Sequence, residues 1–119
     1  MRFARPVYGA AGWGVVILGV VHMLATTRLP LGRGASAVWF CGSGLAMVLA
    51  GTLNLLNRSY GLGAAGLRRV CVASNLAMTA FALVAGVVTN AGTLQFAIIL
   101  GLTGGAAMLS FLPHAIRPR

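Results

Sequence analysis

The chain contains no aspartate, no glutamate and no lysine. Without carboxylate side chains it can form no side-chain salt bridge, and it has no acid pair for general acid–base work. Carboxylate metal ligands are missing too, and with two histidines and two cysteines in all, no clustered metal-ligand motif arises. All nine formal charges are arginines, and charged residues make up 8% of the 119 positions, against about 25% in an average soluble protein. A soluble domain could not cover its surface with so few charges. Hydrophobic residues, by contrast, make up 59% of the chain.

A net charge of +9 raises the question of nucleic acid, which requires a basic stripe on a soluble face. Here the arginines stand at the ends of long apolar runs. That placement excludes nucleic acid and fits anchoring in a lipid bilayer, with anionic lipids as natural partners. The gaps between arginines define the spans: Arg5 to Arg28 encloses 22 uncharged residues, Arg33 to Arg58 encloses 24, and Arg69 to Arg117 encloses 47. A bilayer core of roughly 30 Å takes about 20 helical residues at about 1.5 Å each. The first two gaps hold one helix apiece. The third holds two, divided at Thr89-Asn90-Ala91-Gly92-Thr93, where Asn90 or Gly92 can take the left-handed conformation and Thr93 can cap the next helix.

The expected architecture is all-α: one membrane domain over 1–119, an antiparallel four-helix bundle with helices at about 7–27, 34–57, 69–89 and 94–113. Pro6 suits a first helical turn, Pro30 lies in the first connection, and Pro113 ends the fourth helix or lies in its last turn. The basic start Met1-Arg2-Phe3-Ala4-Arg5 resembles a signal peptide, but the apolar run is too long and lacks a small-x-small site, so a retained span is expected. Arg2, Arg5, Arg58, Arg68, Arg69, Arg117 and Arg119 fall on one side, with Arg28 and Arg33 opposite. The positive-inside rule then puts both termini in the cytoplasm. Cys41 and Cys71 differ in depth by roughly 20 Å at the helical rise, which excludes a disulfide between them.

Helices in lipid associate through small residues and polar side chains, because lipid itself is as apolar as leucine. Ser36, Trp39, Ser43, Met47, Ala50, Asn54 and Asn57 recur at alternating steps of three and four, as in the seam of a left-handed bundle. Cys71, Asn75, Met78, Ala82, Ala85 and Thr89 repeat the pattern on the third helix. Val15, Leu18, Gly19, His22, Ala25 and Thr26 form a stripe on the first, and Gly101-x-x-x-Gly105 marks the fourth. Asn54, Asn75 and Ser110 lie at matching depths from Arg58, Arg69 and Arg117, and are expected to form a polar clasp that registers the helices. His22, with Thr26 and Trp39 at similar depth, is the candidate ligand-binding group, since an ionisable residue inside a membrane is a functional hypothesis by default. The competing structural role is a neutral His22 bonded to Thr26, a carbonyl or water. Tyr8 and Trp39 fit the aromatic belts at the two interfaces, and His114 is interfacial.

Gly61-Leu62-Gly63-Ala64-Ala65-Gly66 matches the dinucleotide fingerprint letter for letter. That fingerprint works only between a strand and a helix of a βαβ unit. Here it falls in the second connection and reads as a flexible loop.

His22 followed by Leu24-Ala25-Thr26, then Ala37-Val38-Trp39-Phe40, Gly42-x-Gly44-Leu45-Ala46, Asn54-Leu55-Leu56-Asn57-Arg58 and Ala73-Ser74-Asn75, resemble small bacterial four-helix membrane proteins of uncharacterised function, over roughly residues 10–80. The resemblance implies a four-helix fold in the bacterial inner membrane and no particular activity. Small multidrug exporters also have four helices in this length, but they carry a glutamate in the first helix. This chain has none, which excludes their proton-coupled cation export.

The leading expectation is a small binding or scaffold subunit that self-associates or joins a larger membrane complex. A second is an electron-transfer subunit in which His22 ligates haem across a dimer or lies beside a quinone. A third is an oligomeric channel or transporter of neutral or anionic solutes. An independent enzyme has least support, because no catalytic set of residues is present.

Overall fold

A computed structural model describes residues 3–28 and 34–116, with the side chain of His114 left out. It is all-helical: α1 (Ala4–Ala25), α2 (Ala35–Tyr60), α3 (Ala65–Val88), α4 (Thr93–Ser110) and a single turn, α5 (Pro113–Ile116). The four main helices are each long and apolar enough to cross a membrane. Arg2, Pro30, Arg33, Arg117 and Arg119 lie outside the described residues.

The helices follow one another around the bundle, with α1 against α2 and α4, and α3 against α4 and α2. The α1–α2 contact is the most extensive, and glycines explain it. A Cβ on Gly19 would come within 2.6 Å of the Gly44 carbonyl oxygen, and one on Gly51 within 2.7 Å of the Gly12 carbonyl oxygen. These backbones touch. The two pairs are spaced by seven residues on both helices, which fixes an antiparallel register. One further step of seven brings Arg5 opposite Arg58, whose Nε donates to the Arg5 carbonyl at 3.0 Å. Gly101 and Gly105, by contrast, would meet nothing within 4 Å if given a Cβ. Their spacing therefore marks no close approach within this chain.

Helix boundaries depart from expectation where the chain turns. The second connection shrinks to residues 61–64, because α2 continues through Arg58 to Tyr60 and the Gly61 amide still donates to the Asn57 carbonyl. The first two fingerprint glycines thus sit in a tight turn, and Gly66 is already in α3. At the α3–α4 turn, Asn90 adopts the left-handed conformation with φ of 49°. Thr93 does not cap α4; Gly92 occupies that position and no side chain bonds the end. Pro113 opens α5, since α4 has stopped at Ser110.

Polarity is inverted relative to a soluble protein. Asn54, Asn57, Asn75, Thr103 and Ser110 are buried, while Trp13, Ile17, Leu49, Val84 and Val87 are exposed. In water such an exterior would cost heavily, whereas in hydrocarbon it costs nothing, and there the buried amides must find partners among themselves. Arg5, Arg58, Arg68 and Arg69 lie near one end of the bundle and Arg28 near the other.

Candidate functional site

The two ends of the bundle are built differently. At the Arg58 end, polar side chains from α1, α2 and α3 join in one buried layer. Asn54 and Asn75 exchange reciprocal amide bonds, each Nδ2 donating to the other's Oδ1 at 2.8 Å. The Asn54 amide also donates to the Ala50 carbonyl at 2.8 Å, and that of Asn75 reaches the Ala106 carbonyl on α4 at 3.4 Å. The Tyr8 hydroxyl donates to Asn54 Oδ1 at 2.8 Å and accepts from Asn57 Nδ2 at 2.9 Å. The Cys71 thiol lies 3.5 Å from both Tyr8 Oη and Asn54 Oδ1. Four helices are thereby pinned at one depth.

Ser110 is buried beside this layer but takes no part in it. Its Oγ donates to the Ala107 carbonyl of its own helix at 2.7 Å. Tyr8 also departs from expectation, since an aromatic three residues from Arg5 reads as part of an interfacial belt. It is instead fully buried, and α5 closes over it through Ala115 and Ile116. The signal for this in the sequence is depth: Tyr8 lies three residues from Arg5, and Asn54 four from Arg58. Asn57, on the expected seam, is also drawn into the cluster, and its Oδ1 is buried without a partner among the described residues.

At the Arg28 end the same seams part. Met47, Ala50, Asn54, Cys71, Asn75 and Ala82 are buried, whereas Ser36, Trp39 and Thr89 are exposed. Between them lies a cavity of about 360 Å³, framed by α2, α3 and α4 and reached by His22 from α1. This is within the roughly 300–1,000 Å³ range of small-molecule sites. Four aromatic rings line it (Trp39, Phe40, Phe81 and Phe96), together with the thioethers of Met47 and Met78. The wall is thus mostly apolar and rich in flat, polarisable surface.

His22 supplies the ionisable group. Its ring stacks on Phe40, with centroids 3.7 Å apart and planes 19° from parallel. Thr26 does not serve the imidazole: its Oγ1 donates to the His22 backbone carbonyl at 3.3 Å. Trp39 shares the cavity with His22 but is 78% exposed, at the mouth of the space. Ser43 and Thr89 also line the cavity, yet each hydroxyl proton goes to its own helix, to the Phe40 and Ala85 carbonyls. Among the described residues, none hydrogen-bonds the His22 ring.

Among the described residues, no three His, Cys, Asp or Glu side chains gather where they could hold a metal ion. Cys41 and Cys71 are both free thiols. Comparison with protein-family models, curated proteins and solved structures finds no match.

Proposed function

We propose that the protein is a multi-pass subunit of the bacterial inner membrane that holds a small, flat, mainly apolar molecule of the quinone class in the cavity at its Arg28 end. Both termini lie in the cytoplasm in this reading, following the arginine asymmetry. The observation that carries the proposal is an imidazole without a hydrogen-bond partner among the described residues, stacked on Phe40 at the edge of an aromatic-lined cavity. A quinone ring offers planar faces to Phe81 and Phe96, and its carbonyl oxygens accept a hydrogen bond from His22. An isoprenoid tail would run out past Trp39 into the acyl chains. The chain has no catalytic set of its own, so its role is to bind and position the molecule within a larger membrane complex or homo-oligomer.

The test is direct. Protein purified in mild detergent is extracted with organic solvent, and the extract is examined for quinone by absorption and mass. Added short-chain quinone should quench tryptophan fluorescence in a saturable way. His22→Leu, which removes the ring nitrogens, should weaken that binding about fivefold, the loss of roughly 1 kcal/mol for one hydrogen bond. Ala85→Phe, which fills the cavity, should abolish it. A Soret band in the purified protein would point to haem instead. The absence of both extracted quinone and saturable quenching would refute the reading.

A further inference from the structure

The two arginines that end the glycine seam are held unlike the other described arginines. Arg68 and Arg69 are exposed, as expected of charges that only anchor a helix end in water. Arg5 and Arg58 are half-buried. The Arg58 guanidinium lies flat on α1, so close that a Cβ at Gly9 would sit 3.0 Å from its Cζ and Nε. Its Nε is spent on the Arg5 carbonyl. Arg5 Nε is itself buried with no acceptor among the described residues. A buried cationic N–H without an acceptor is costly, and more so next to a second fixed positive charge.

The chain cannot supply the missing negative charge from a side chain, because it has no aspartate or glutamate. We infer that Arg5 and Arg58 form a binding site for a phosphate group, supplied by the headgroup of an anionic lipid. Arg5 lies in the first turn of α1 and Arg58 in the last turns of α2, at the depth where lipid phosphates meet a spanning helix. A guanidinium matches phosphate oxygens through its planar fork of donors, which an ammonium does not. Arg58, with Nε already engaged, leaves its terminal nitrogens for the phosphate, and Arg5 adds a second positive charge. The site is independent of the cavity at the opposite end.

Thermal unfolding of delipidated protein in neutral detergent tests the assignment, with phosphatidylglycerol, phosphatidylcholine or free glycerol phosphate titrated in. Phosphatidylglycerol should raise the midpoint saturably, while the other two leave it unmoved. Arg5→Gln keeps the backbone carbonyl that Arg58 binds, so the fold survives, and the apparent lipid affinity should fall about tenfold or more. Arg58→Lys retains the charge but loses the fork, and should weaken the response too. Arg68→Gln should leave it intact. An equal shift from phosphatidylcholine, an equal shift from free glycerol phosphate, or an unchanged phosphatidylglycerol response in Arg5→Gln would each overturn the inference.

Discussion

Removing one oxygen atom tests the polar layer at the Arg58 end most sharply. Tyr8→Phe preserves the ring that Ala115 and Ile116 cover but deletes the hydroxyl. Asn54 loses little, because its Oδ1 still accepts from Asn75 at 2.8 Å. Asn57 loses its described partner. It is fully buried, its Oδ1 already lacks a partner, and Tyr8 Oη is the acceptor for its Nδ2. Leaving a buried donor unsatisfied costs about 1–3 kcal/mol. Couplings measured inside membranes average about 0.6 kcal/mol, with a maximum near 1.7, because the unfolded chain in lipid finds other partners. Tyr8→Phe should therefore cost about 1–2 kcal/mol, between those limits. Reversible unfolding in mixed micelles, followed by tryptophan fluorescence, reads this out. Adding Asn57→Leu to the Tyr8→Phe variant removes the stranded amide, so the double variant should lose clearly less than the two single losses combined. A Tyr8→Phe loss below about 0.3 kcal/mol, or strict additivity, would refute the claim that this network is a coupled unit.

Other consequences are simpler to check. Ser110→Ala should change stability by less than about 0.5 kcal/mol in the same assay, because its hydroxyl bonds only its own helix. Gly19→Ala forces a Cβ against the Gly44 carbonyl and should cost about 1–3 kcal/mol, whereas Gly101→Ala meets open space and should cost nothing measurable. Reporters fused after Arg28 and within the 61–64 turn should give opposite compartments, with the turn cytoplasmic; cytoplasmic activity from the Arg28 fusion would reverse the assigned orientation.

Much of the layout is legible in the sequence. Four spans follow from arginine spacing because membrane thickness sets a fixed helix length, a one-dimensional constraint readable along the chain. The heptad seams on α2 and α3 follow from periodicity, and they place Asn54 and Asn75 on facing sides. Gly12 and Gly19, with Gly44 and Gly51, carry the register as matching sevens, although a glycine-rich chain hides such pairs among many others. Three things needed the tertiary structure. Tyr8 turns inward because α5 folds back over it, a contact whose partners lie more than 100 residues apart in sequence. Ser110 matches the layer in depth but bonds backward to Ala107, since depth does not fix which way a helix is rotated. The seams close at the Arg58 end and part at the Arg28 end, opening the cavity beside His22. A repeat in sequence states which residues share a face. Whether that face meets a neighbour or leaves a space depends on helix tilt, and tilt is decided by packing along the whole interface: close at the glycines of α1 and α2, wider where the cavity opens among α2, α3 and α4.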